Sequence, residues 1–338
     1  MSRIAVLGSG AWGTAIALHL ARQQRHELVL WSHSAEVAKT IRESGQNQRF
    51  LPGYPFPDSL SKSVTDDAAE ALDFAEILIS VLPSHHIRHS YQDLFAPHLR
   101  PKHRILSATK GIEHQSYLRM SEVIAEVSAT RNLQPSFAVL GGPSFAQEVA
   151  AGFPTAVTIG SSDAAFATEL QQIFSDGSLR SYTNDDVCGV EMAGALKNVI
   201  AIASGVVTGL GLGHNSTAAI ITRGIAEMTR LAVACGGHSE TLVGLAGVGD
   251  LVLTCTGALS RNRTVGVELG KGRKLDEILA GLGGKVAEGV RTTAAALGLA
   301  ERRGVEMPIA EQIDRVLRGE ISPLQGMQLL MSRPGRDE

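Results

Sequence analysis

Three glycines, Gly8, Gly10 and Gly13, stand between the apolar run Ile4–Leu7 and a segment, Thr14–Leu20, whose apolar residues Ile16, Ala17 and Leu20 return at helical spacing. In a G-x-G-x-x-G turn between a strand and a helix, the first glycine permits a tight reversal. The second leaves no side chain where a pyrophosphate must approach. The third lets the helix pack close to the strand, so that its first N–H groups point at the anion. In this context the pattern predicts a dinucleotide-binding domain.

The first half of the chain repeats that alternation. Further strands are expected at Glu27–Trp31, Ala75–Leu82, Arg104–Ala108, Phe137–Leu140, Thr155–Ile159 and Leu179–Tyr182, separated by helical segments. This is the pattern of a doubly wound parallel sheet. From about Val187 the texture changes to long, alanine-rich, helix-periodic stretches such as VCGVEMAGALKNVIAIASGVVTGL and STAAIITRGIAEMTRLAVACGG. The expected fold is therefore α/β, with an N-terminal Rossmann-like doubly wound sheet over residues 1–185 and a C-terminal all-helical domain over residues 186–338. A chain of 338 residues, 44% of them hydrophobic, can fill two cores. Only the closing SRPGRDE reads as a frayed tail.

A net charge of −3 offers no general attraction to nucleic acid or to an anionic membrane surface. Cys188, Cys235 and Cys255 are odd in number, widely spaced and without a C-x-x-C pair. They argue against a disulfide framework or a zinc site and for a reduced, cytoplasmic setting. No secretory signal pattern opens the sequence. No membrane span is expected either, because the most apolar stretch, Ala193–Gly213, carries Lys197, Asn198 and several glycines, which are costly in hydrocarbon.

Sites in such folds lie at the carboxyl ends of the strands. An acidic residue about 20 positions beyond the glycines normally holds the adenosine ribose of NAD. Here LVLWSHS puts Trp31, Ser32, His33 and Ser34 in that zone and no carboxylate. A 2′-phosphate is then admissible, with His33 as a donor to it and Arg49 as a further partner. In ISVLPSHH, Pro83 stops the strand, and His85 and His89 follow four residues apart. With no further ligand nearby they read as solvated helix residues, and no metal site is expected.

Three polar clusters stand where chemistry is expected. SATKG places Lys110 just past a strand, LGGPSF places Gly142 and Ser144 past the next, and GALKNVIAI buries Lys197 and Asn198 in an apolar helix. A lysine there is expensive unless it lines a cavity, and the small neighbours Gly194 and Ala201 leave room for a ligand. Further on, GLAGVGDLVLTCTGALSRNR combines a glycine-rich turn, the carboxylate of Asp250, and Ser260, Arg261 and Asn262 ahead of a helix. An arginine beside helix N–H groups makes a phosphate cradle.

Together GSGAWGTA, FLPG, ATKG, GGPSFA, ALKNVIAI, ITRGIAEM, GVGDLVLTCT, SRNR and VAEGVRTT, in this order over nearly the whole chain, resemble the NAD(P)-dependent glycerol-3-phosphate dehydrogenase family in its bacterial form. The resemblance implies interconversion of dihydroxyacetone phosphate and sn-glycerol 3-phosphate with NADPH or NADH, mainly in the reductive direction that feeds glycerophospholipid synthesis. It also suggests a homodimer. It implies cofactor contacts at Gly8, Gly10, Ala11, Trp12, Gly13, His33, Lys110, Ala146, Arg261, Val286 and Glu288. Substrate contacts are implied at Lys110, Gly142, Ser144, Lys197, Asp250, Ser260, Arg261 and Asn262, with Lys197, Lys110 and Asp250 in catalysis. The chemistry agrees, since reducing a ketone builds negative charge on its oxygen and a lysine ammonium can stabilise that charge and donate the proton. A hydroxyacid or sugar-acid dehydrogenase would share the glycines but demand a carboxylate-binding site. A non-catalytic dinucleotide-binding protein would have no use for both Lys110 and Lys197.

Overall fold

A computed structural model describes residues 1–282 and 286–335, in two compact units. The first comprises Met1–Thr109 and Met120–Val187, and the second comprises Lys110–Arg119 together with the chain from Cys188. Of the tail expected to fray, Ser332 caps the last helix and residues 336–338 lie outside the described residues.

The first unit holds an eight-stranded sheet. Its strands are β1 (Arg3–Leu7), β2 (Glu27–Trp31), β3 (Val64–Thr65), β4 (Ile77–Ser80), β5 (Arg104–Ser107), β6 (Phe137–Gly141), β7 (Thr155–Gly160) and β8 (Leu179–Asn184). Their spatial order is β3-β2-β1-β4-β5-β6-β7-β8. Ile4, Ala5, Val6 and Leu7 have no exposed surface, as befits a strand covered on both faces. The strand order reverses between β1 and β4, where Leu7 pairs with Ser80 and the chain leaves both strands into loops. That reversal opens the crevice in which doubly wound sheets bind ligands.

Three expectations need correction. The strand expected over Ala75–Leu82 shortens to Ile77–Ser80, because Ala75 closes the helix Ala68–Phe74 and the residues after Ser80 leave the ladder. Strand β3 was not anticipated, being two residues at the sheet edge and too short to show a period. The sheet is not wholly parallel, since β7 runs antiparallel to β6. Their connection contains only the six-residue helix Ala146–Ala151. The apolar run of β7 marks a strand without fixing its sense, so its direction is set by tertiary packing rather than by its own sequence.

The second unit is built of helices around Val187–Gly209, in which every residue from Gly189 to Val207 is buried. By length and hydropathy this helix does qualify to cross a membrane, contrary to the expectation, and it is the one single helix among the described residues to do so. Its apolar window is entirely enclosed by protein, as in a core helix that is apolar all round. The helix Arg261–Gly270 lies against it backbone to backbone. A Cβ at Gly205 would overlap Arg263 O and lie 2.9 Å from Gly266 Cα, and a Cβ at Gly209 would overlap Val267 O and lie 2.9 Å from Gly270 Cα. This approach carries Asn262 to Asn198. Gly205→Ala should therefore part the two helices and cost about 1–3 kcal/mol, read as a lower urea midpoint at unchanged slope. An unchanged midpoint would mean that the contact yields without cost.

Candidate active site

In the first unit the glycine turn has the shape its sequence requires. Gly8 adopts φ +124°, and a Cβ there would lie 2.6 Å from Val81 O. A Cβ at Gly13 would overlap Gly8 O, whereas one at Gly10 meets nothing within 4 Å. Gly8 and Gly13 thus serve the chain's own packing, and Gly10 leaves an open approach. The helix Ala11–Arg22 starts there with no side-chain cap and no acidic residue in its first turn, so its positive end remains uncompensated. Trp12 Nε1 is buried without a hydrogen-bond partner among the described residues. These features fit a dinucleotide whose pyrophosphate approaches Gly10.

Ser9 Oγ donates to Ser32 Oγ over 2.7 Å, and Ser34 caps the helix Ala35–Ser44, so both serines of LVLWSHS brace the loop. His33 is exposed, its ring 5.9 Å from that of Trp31, and the Arg49 guanidinium stands 5.3 Å from the Phe50 ring. Asn47, which the sequence did not single out, donates to Ser9 O at 2.7 Å and to Thr14 Oγ1 at 2.9 Å. It ties the loop before FLPG to the glycine turn. Gly142 has φ +109°, its missing Cβ making room for Val157 Cα at 3.0 Å, and Ser144 Oγ donates to Gly142 O. Ala146 begins the short helix that packs on Ala11–Arg22. His85 and His89 are exposed, and His89 pairs with Asp93.

The second unit gathers the titratable candidates. Lys197 Nζ donates to Asp250 Oδ1 and, over 3.0 Å, to Thr254 Oγ1. Lys110 Nζ donates to Asp250 Oδ2 at 2.9 Å. One carboxylate, 1% exposed, thus joins two ammonium groups. Asp250 reaches this place as the first residue of the helix Asp250–Thr256, after a glycine-rich turn in which a Cβ at Gly247 would overlap Leu242 O. Burial pulls Lys197 down from the ordinary lysine value to about 7, with Asp250 opposing the shift and the like charge of Lys110 adding to it. For Asp250, burial pushes upward, but the cations Lys110 and Lys197 prevail and hold it below the usual carboxylate range. The space beside Gly194 is not left for a ligand, because a Cβ there would lie 3.5 Å from Lys110 Cγ, and Ala201 is sealed in the core. These small residues make room for protein.

Ser260 caps the helix Arg261–Gly270 by accepting from Arg263 N. Asn262 Nδ2 donates to Asn198 Oδ1 at 2.9 Å, and its Oδ1 accepts from Gly289 N at 3.0 Å. Arg261 keeps exposed surface, yet burial around its guanidinium lowers its proton affinity from the ordinary arginine value, with the Glu288 carboxylate opposing the shift. Val286 and Glu288 lead into the helix Glu288–Arg303.

Family models for the N-terminus and C-terminus of NAD-dependent glycerol-3-phosphate dehydrogenase match residues 3–167 and 186–328. The chain belongs to this family. It is 78% identical, over all of both chains, to a protein of Acidobacterium capsulatum named glycerol-3-phosphate dehydrogenase (NAD(P)+). A protein of the same name from Koribacter versatilis is 56% identical over 100% of this chain and 99% of its own. A crystal structure of glycerol-3-phosphate dehydrogenase from Coxiella burnetii, 41% identical, superposes with a TM-score of 0.93 and covers 98% of this chain and 99% of that one. The family and the two-part fold expected from the sequence both stand.

Proposed function

We propose that this protein reduces dihydroxyacetone phosphate to sn-glycerol 3-phosphate with NADPH or NADH, supplying glycerophospholipid synthesis. The observation that carries the reading is Lys197, a buried lysine joined through Asp250 to Lys110 in a chain of this family. A bound dinucleotide supplies the hydride. As negative charge develops on the ketone oxygen, the Lys197 ammonium stabilises it and donates a proton there, leaving a neutral amine. Oxidation of the alcohol returns that proton to the amine. A donor pulled to about 7 is matched to neutral pH, where an ordinary lysine would hold its proton too firmly. Lys110 polarises and positions the same substrate, and Asp250 orients both lysines.

Arg261, with Ser260 and Asn262, takes the phosphate; Gly142 and Ser144 complete the substrate contacts. In this reading residues 1–185 hold the dinucleotide and residues 186–338 the substrate, with Lys110 joining the latter and Arg261, Val286 and Glu288 also meeting the cofactor. A cytoplasmic setting and a homodimer belong to the same reading, the first supported by three free cysteines and the second suggested by the family resemblance alone.

The test compares dihydroxyacetone phosphate with dihydroxyacetone in wild type and Arg261→Ala. Wild type should strongly prefer the phosphorylated ketone, and the variant should lose about 10- to 100-fold of that preference in kcat/KM. Arg261→Lys, which keeps charge but loses the planar fork, should recover only part. Full preference retained in Arg261→Ala would place the phosphate elsewhere.

A further inference from the structure

We propose that Tyr117, seated in a notch that Gly298 leaves on the helix Glu288–Arg303, is a positioning residue that holds Lys110 against Asp250. The inference rests on the catalytic reading above. Lys110 opens the segment Lys110–Arg119, which folds back on itself through an antiparallel bridge between Ile112 and Arg119 and a bond from Glu113 N to Leu118 O of 2.9 Å. Gly111, directly after the lysine, adopts φ +155°, and Gln115 and Tyr117 have φ of +77° and +63°. Non-glycine residues enter that region at a cost, and remain there only where their surroundings impose it.

The surroundings here are specific. A Cβ at Gly298 would overlap Tyr117 Cζ and Oη, so the phenol ring rests on bare helix backbone. One turn further, the Arg302 guanidinium lies 4.3 Å from the centre of the same ring. It also donates to Ser116 O at 2.9 Å and to Gln115 O at 3.3 Å. The tip of the hairpin is thus gripped by ring, cation and two carbonyls. At its base, Arg119 pairs at 3.0 Å with Glu191, a buried residue of the helix that carries Lys197. The same helix receives the stem of Lys110 at Gly194. Tip and base of the hairpin are thus both held, and from its first residue the Lys110 ammonium meets Asp250.

This placement matters for the acid. The titratable groups that act on Lys197 or are acted on by it are Asp250, Lys110 and Cys255, with Arg263 beyond them. The Cys255 thiol, pushed up to about 12 chiefly by burial, stays neutral. Lys110 is therefore the neighbouring cation that weakens the hold of Lys197 on its proton. A hairpin that loses its seat withdraws that cation, and Lys197 becomes a more reluctant donor. Tyr117 and Gly298 supply no acid or base themselves.

The experiment follows reductive kcat between about pH 6 and 9, with thermal stability recorded for each variant. Gly298→Ala drives a methyl group into the ring, Tyr117→Ala empties the notch without a clash, Tyr117→Phe keeps the plug, and Lys110→Met removes the cation. Gly298→Ala and Tyr117→Ala should lower kcat about 10- to 100-fold. Both should move the midpoint of the pH profile upward, in the direction taken by the residual activity of Lys110→Met, while Tyr117→Phe keeps the wild-type midpoint. If the notch variants lose stability but keep the wild-type midpoint, the notch supports only the fold and the proposal is overturned. If Lys110→Met itself leaves the midpoint in place, Lys110 does not govern the proton affinity of Lys197 and the proposal is overturned, whereas the role of Lys197 as donor stands or falls with the activity and pH limbs of Lys197→Ala.

Discussion

Lys197→Ala is expected to lose at least about 10²-fold in kcat, the scale for one group that serves as both proton donor and charge stabiliser. Free enzyme should still bind NADPH with wild-type affinity, because the glycine turn proposed to receive the pyrophosphate belongs to the other unit. A fluorescence titration of NADPH alongside steady-state kinetics separates the two effects. The lysine is 6% exposed and Asp250 is its ion-pair partner, so truncation also leaves a space and removes one of two counter-cations. Lys197→Met, which keeps most of the volume without the charge, should show the same kinetic loss with a smaller stability loss. The pH dependence has a definite sign. With Lys197 as the proposed donor, reduction needs the ammonium, so wild-type reductive kcat should fall as pH rises through about 7. Oxidation needs the amine, so oxidative kcat should rise over the same interval. Both limbs should vanish in Lys197→Ala; their persistence, or turnover near the wild-type rate, would remove Lys197 from the mechanism.

The parts of this site that could be read from sequence are those where a residue type is tied to a single physical demand. Gly8 and Gly13 were legible because backbone approaches of this kind exclude any side chain. Lys197 was legible because a charge in the middle of an apolar helix needs a reason. Asn47 was not, since in QNQRF it looks like any polar loop residue, and only the fold brings it to Ser9 O and Thr14 Oγ1. Thr254 carries a signal in the sequence itself. It follows Asp250 by four residues on one helix, a spacing that puts both on the face where Lys197 arrives. The pairing of Tyr117 with Gly298 spans 181 positions and has no local pattern at either end. The direction of β7 was likewise hidden, because apolar runs announce strands but not their sense.

Asp250→Asn should be as damaging as loss of the lysine itself, for a different reason. The amide keeps the shape of the carboxylate but leaves Lys110 and Lys197 facing each other with no anion between them. Asp250 is the group that raises the proton affinity of Lys197 against burial, so without it the lysine falls further below about 7. At neutral pH the donor is then mostly amine, and reductive kcat should drop about 10²-fold or more, with the falling limb displaced to lower pH. Stability should fall as well, by about 3–5 kcal/mol where both lysines are protonated, because a buried charge pair loses its counter-ion. The pH dependence of that deficit follows from linkage. Between the lowered value in the variant and about 7, the variant's Lys197 has shed its proton in the folded state while its unfolded chain still binds one, so the variant gains stability with rising pH. Wild type holds the same proton folded and unfolded over that interval and gains nothing from this group. Urea unfolding at about pH 5 and about pH 7.5 should therefore show the larger deficit at the lower pH. An equal deficit at both would mean that Lys197 does not release its proton when Asp250 is gone, and that Asp250 is not what keeps the donor charged.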